Sequence, residues 1–148
     1  MFAMILDVFP STEKNLHSVE FFCTFRTTIR PSKDVRDSRD SQNLTGKWVG
    51  EAPERNKWYD VEIAVEDRLI WSQNVVPLGY SEALIEKDNT GMTILQGLLE
   101  ASEDGFTTLR MGNFLNVLDI MGIPKPFTGD VRIRVTEMRL YDTGIIRY

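Results

Sequence analysis

The side chains best equipped for chemistry in this 148-residue chain are its one histidine and one cysteine, His17 and Cys23. A thiolate–imidazole pair needs the two groups at hydrogen-bond distance. On one regular strand their spacing would put them about 20 Å apart, at ~3.3 Å per residue. A zinc site built around them would be mostly carboxylate, an uncommon donor set. Cys23 falls on the apolar face of an alternating run and is expected to be a buried thiol. No catalytic residue, metal site or cofactor is therefore expected.

The carboxylates come next. Asp60, Glu62 and Glu66 share the polar face of one expected strand, with Asp67 in the turn after it, and Glu103 and Asp104 sit at another turn. Paired-carboxylate hydrolysis requires one acid whose pKa is raised by burial. These residues occupy a face expected to be wet, so the pattern predicts solvated surface. No calcium loop, no phosphate-binding glycine loop and no Gly-x-Ser-x-Gly nucleophile elbow is present.

Aromatic and basic residues offer a binding chemistry instead. Trp58, Phe106 and Phe114 could stack bases, and Arg132, Arg134 and Arg139 lie along the last long run. A glycine-containing strand, an Asp104-Gly105 turn and a meander over 92–141 resemble the opening of an oligonucleotide-binding barrel of the S1 type. That resemblance implies a partner of single-stranded nucleic acid. Leu44-Thr45-Gly46-Lys47-Trp48 resembles the first barrel strand of avidins, and Gly46-x-Trp48 the opening of lipocalins. Those resemblances imply a barrel that holds a small ligand.

The elements that would carry these groups are strands. Alternation of apolar and polar residues over 19–29, 59–66 and 131–135 gives each run one buried and one wet face. A first strand is expected over 1–10, a long one over 16–30 and another over 46–50. Hairpins are expected at 58–66 with 69–76, and at 92–101 with 106–111, the latter around Asp104-Gly105. Gly97 marks a bulge or bend. Residues 81–87 suit either a short helix or a strand. The apolar phase slips between Val135 and Met138, which predicts a bulge in one bent strand. The sum is a mainly β protein: an antiparallel barrel or sandwich of about eight short strands with at most one short helix. It is expected to form one domain over 1–148, with a polar mobile loop at 31–45.

Net charge is −5, and it is uneven: residues 1–57 carry net +1 and residues 58–148 net −6. The acidic part disfavours nucleic acid and suits a protein partner, in particular a basic one. The single cysteine, and the lack of both a secretion signal and an apolar run of about 20 residues, predict a cytoplasmic protein that does not engage a membrane. The leading expectation is a non-enzymatic protein that binds another protein, of the inhibitor or immunity type found in bacteria and phages. Trp58, Asp60, Glu62, Glu66 and Asp67 would form its acidic surface, and Arg132 and Arg134 a basic one. Edge strands invite self-pairing, so the pattern is also compatible with a homodimer.

Overall fold

A computed structural model describes residues 1–10, 21–27, 43–80, 82–112 and 114–144. The described residues form thirteen strands: β1 (Phe2–Pro10), β2 (Phe21–Thr27), β3 (Leu44–Val49), β4 (Trp58–Val65), β5 (Leu69–Ile70), β6 (Val75–Pro77), β7 (Leu84–Lys87), β8 (Thr93–Ala101), β9 (Thr107–Met111), β10 (Phe114–Leu118), β11 (Ile120–Met121), β12 (Phe127–Val135) and β13 (Met138–Asp142). Among the described residues there is no helix, and hence none long and apolar enough to cross a membrane. The protein is mainly β, as the alternation predicts. Residues 84–87 resolve to strand.

Five strands close a barrel in the order β1-β2-β3-β13-β4. Four of its pairings are antiparallel, while β3 and β13 run parallel. A parallel neighbour requires a long connection rather than a tight turn, and here nearly ninety residues separate the two strands. The alternating positions point inward as expected: Cys23 and Phe25 from β2, Val61 and Ile63 from β4, and Leu140 from β13 are at most 3% exposed. With Ala3, Ile5 and Trp48 they fill the interior, so this barrel is a packed core of the small five-stranded kind. Trp48 is an ordinary core aromatic. Its indole N–H donates to the Glu51 carbonyl at 2.7 Å, and Tyr59 meets it edge-on.

The second sheet has the order β10-β9-β8-β12-β6, with β7 also on β8. Val131, Ile133 and Val135 of β12 are fully buried on its inner face. One continuous hydrophobic cluster includes residues of both sheets. The hairpin expected around Asp104-Gly105 is present, with Ala101 opposite Thr107. Gly97 is not a bulge: β8 stays in register with β12 through it. Along its other edge, however, β8 changes partner there, from β7 up to Gln96 to β9 from Leu98. A Cβ on Gly97 would lie 2.2 Å from the Arg110 carbonyl oxygen.

Three sequence expectations are corrected. Residues 69–76 do not pair back on β4, because β1 and β13 occupy both edges of that strand. β5 pairs instead with β11, and β6 with β12. The phase slip after Val135 is not a bulge in one strand but the crossing from the second sheet to the barrel: Val135 pairs with Thr93 and Met138 with Val65. The strand count exceeds eight because short segments such as β5 and β11 carry too little pattern to be read. The polar loop expected at 31–45 lies outside the described residues up to 42, as does His17, while Leu44 and Thr45 belong to β3.

Candidate functional site

The most distinctive surface is the free edge of the second sheet. Among the described residues β10 is a terminal strand of this sheet, paired with β9 alone, in an uninterrupted register from Phe114 opposite Met111 to Leu118 opposite Thr107. Phe114 and Leu118 point into the core. On the other face Leu115 is 51% exposed and Val117 60% exposed. Natural edge strands are usually blunted by lysine, proline or a bulge. β10 has none of these.

Beside this edge runs a groove of about 580 Å³ between the second sheet and the barrel. Its walls include Ile63 and Val65 from β4, Arg68 and Leu69 beyond it, and Val117 and Met121 opposite. Met121 is 49% exposed, and its sulfur accepts from the Arg68 guanidinium at 3.5 Å. Asp67 and Asp119 add two carboxylates against the one cation. Asn116, also on the wall, keeps its amide nitrogen out of water with no hydrogen-bond partner among the described residues. An unmet buried donor costs about 1–3 kcal/mol.

Alternation hides this site. Phe114-Leu115-Asn116-Val117-Leu118 is apolar on both faces, which is the signature of a strand covered on both sides. Only the topology puts it at an edge.

The residues expected to form an acidic surface do share β4 and the turn after it, but most are engaged within the chain. Asp60 is half-buried and accepts from the Met1 ammonium at 3.2 Å. Glu66 is ion-paired with Arg139. Asp67 accepts the main-chain N–H groups of Thr136 and Glu137 at 2.9 and 3.1 Å. Glu62 and Trp58 are exposed, Trp58 at 45%. Arg132 and Arg134 lie in the other sheet, exposed but tied down: Arg132 donates to Gln96 at 2.7 Å and Arg134 to Asp88 at 3.2 Å. The aromatics expected to stack bases are dispersed as well. Phe114 is a core residue at 9% exposure, Phe106 is 80% exposed beyond the β8–β9 turn, and Trp58 is on the barrel. Of the stretch that resembles an S1 opening, β8, β9, β10 and β12 join the second sheet, β11 pairs with β5, and β13 alone enters the barrel.

Cys23 is fully buried, and burial pushes its thiol up to about 12. It is a neutral core residue at physiological pH. Among the described residues no group of His, Cys, Asp and Glu could hold a metal ion. Compared with protein-family models, with curated proteins and with solved structures, the chain matches none.

Proposed function

We propose that this chain acts by protein–protein association, and that the partner adds an extended segment along the free edge of β10. The observation that carries this reading is the exposure of Leu115 and Val117 on an unblunted terminal strand. Strand addition draws affinity from main-chain hydrogen bonds and specificity from alternate side chains. Val117 and Met121 share the adjoining groove, so apolar side chains of the segment find a lined trough rather than flat surface.

The acidic strand has a smaller share in this reading than charge alone suggests. With Asp60, Glu66 and Asp67 engaged internally, Glu62 is the carboxylate left to steer a basic partner. An inhibitor or immunity-type role is the biological setting we infer from size and charge, and the captured partner's own activity tests it.

The experiment is site-specific photo-crosslinking from position 115 in the native host, followed by mass spectrometry. One partner should be captured from position 115, and the capture should vanish in a Leu115→Lys, Val117→Lys double variant crosslinked from position 121. Capture of that partner in undiminished yield by the double variant would rule out the β10 edge.

A further inference from the structure

The main-chain groups of the second sheet alternate in a fixed sense. The Leu78 N–H donates to the Asp130 carbonyl at 2.8 Å, and the Arg134 N–H to the Asn74 carbonyl at 2.9 Å. Residues 74 and 78 flank β6, so the even-numbered residues of β12 turn towards that strand. In an antiparallel ladder each residue sends its N–H and C=O to one side, and its neighbours send theirs to the other. The registers of β12 on β8, β8 on β9 and β9 on β10 are unbroken. Carried through them, the alternation bonds Phe114, Asn116 and Leu118 to β9 and turns the main chain of Leu115 and Val117 to the open side. Among the described residues neither of these two makes a hydrogen bond there.

The edge thus offers two donors and two acceptors, and the set is self-complementary. A twofold axis through position 116 places Leu115 of one copy opposite Val117 of the other, and Val117 opposite Leu115. Both are hydrogen-bonded pairs, so all four groups of each copy are met, as an isologous interface requires. An axis through 115 or 117 would set one of the two residues against chain outside the strand. Side chains agree with the pairing. Leucine meets valine twice on the outer face, and Phe114 meets Leu118 twice on the inner one. β10 itself carries no charge. Arg110 lies beside Leu115 in β9, and Asp119 directly follows β10. On strand spacings of ~4.8 Å across and ~3.4 Å along, Arg110 of one copy comes within about 12 Å of Asp119 of the other, Cα to Cα. The two Arg110 are about 16 Å apart and the two Asp119 about 20 Å on the same spacings. Opposite charges are therefore nearer than like ones.

We propose that, while the partner is absent, the occupant of this edge is a second copy of the chain, the two β10 strands pairing antiparallel about position 116. Self-association then competes with partner capture for the same main-chain groups. That competition rests on the proposed strand-adding partner, whereas the dimer rests on the edge alone.

The test is a cysteine placed on the axis of the full chain. A non-hydrogen-bonded pair at 116 holds its Cα atoms about 4.5 Å apart, within reach of a disulfide. Asn116→Cys should give a disulfide-linked dimer on mild oxidation. Leu115→Cys, with Cα atoms about 9 Å apart, should not. The native Cys23 is fully buried and does not compete. Sedimentation velocity of the unmodified chain should show a concentration-dependent dimer. Val117→Pro deletes one open-side N–H and spares the β9 ladder. With its circular dichroism unchanged, it should weaken the dimer about tenfold or more. Leu115→Lys, a change of an exposed side chain, should weaken it as well. The proposal is overturned by a chain that stays monomeric up to its solubility limit. It is overturned equally by Leu115→Cys crosslinking as readily as Asn116→Cys, or by a dimer that both Val117→Pro and Leu115→Lys leave unchanged. A monomer that still captures a partner from position 115 overturns the dimer and keeps the partner. A dimer whose position 115 crosslinks in the host to a second copy alone keeps the dimer and overturns the partner.

Discussion

The Asp67 carboxylate accepts the main-chain N–H of Thr136 at 2.9 Å, from a residue 69 positions away in the chain. The same carboxylate accepts the Thr136 hydroxyl at 2.8 Å and the Glu137 N–H at 3.1 Å. Thr136 and Glu137 are the two residues between β12 and β13, where the chain leaves one sheet for the other. Main-chain donors there have left one ladder and not yet joined the next. One ionised side chain meets both, and so joins the exit of β4 to the crossing between sheets.

Asp67→Ala should therefore destabilise the protein by about 2 kcal/mol, the scale of lost hydrogen bonds to a charged acceptor. That corresponds to a melting temperature lower by about 6 °C for a chain of this size. Chemical denaturation of the variant beside the wild type reads it directly. An unchanged midpoint would show that water replaces the carboxylate without cost.

Gly97→Ala should cost about 3 kcal/mol, because its new methyl group would overlap the Arg110 carbonyl that crosses β8 there. Gly79→Ala is the control. Nothing lies within 4 Å of a Cβ at that position, and its effect should stay within about 0.5 kcal/mol. Equal denaturation midpoints for the two variants would contradict the close approach.

Cys23 should resist thiol reagents at neutral pH in the folded protein and react at once in denaturant. Its folded-state pKa of about 12 exceeds the ordinary 9.0 because burial disfavours the thiolate. The sign follows from linkage: the stability tied to the neutral thiol is complete below about 9 and is lost as pH rises from there towards about 12. A Cys23→Ala variant should lose this alkaline component of the stability profile. Rapid labelling of the native protein at neutral pH would mean that the barrel opens on its own.

Asp88 should titrate below the usual carboxylate range. The Thr90 hydroxyl, which donates to it at 2.6 Å, is the largest cause, with the main-chain N–H groups of Thr90 and Met92 and the charge of Arg134 adding to it. Thr90→Val should bring its pKa back towards the ordinary 3.8 in an NMR titration. Because the folded value is depressed, the associated stability is present above the ordinary value and fades as pH falls through the folded one. A Thr90→Val titration curve that overlays the wild type would assign the shift to other contacts.

The strands rich in alternation are legible in the sequence. Cys23 and Phe25, Val61 and Ile63, and Val131, Ile133 and Val135 are buried where their phase puts them, since a period of two leaves no choice of face once a strand forms. The slip between Val135 and Met138 was legible too, but its meaning was not. A bulge and a change of sheet produce the same one-residue shift, and they differ only in which strands lie alongside. The candidate surfaces were hidden for a related reason. Asp60, Glu66 and Asp67 look like free carboxylates along the chain, while the groups that occupy them come from Met1, Arg139 and the Thr136–Glu137 link.

By itself the sequence determined that this protein is built from strands, which side chains each regular strand buries, and that its one thiol is interior. These are consequences of local period and hydrophobicity. The tertiary structure decided which strands are neighbours: that β3 and β13 close a barrel in parallel, and that among the described residues β10 ends its sheet with Leu115 and Val117 exposed. Pairing is set by the joint burial of residues far apart in the chain, so no single segment carries it.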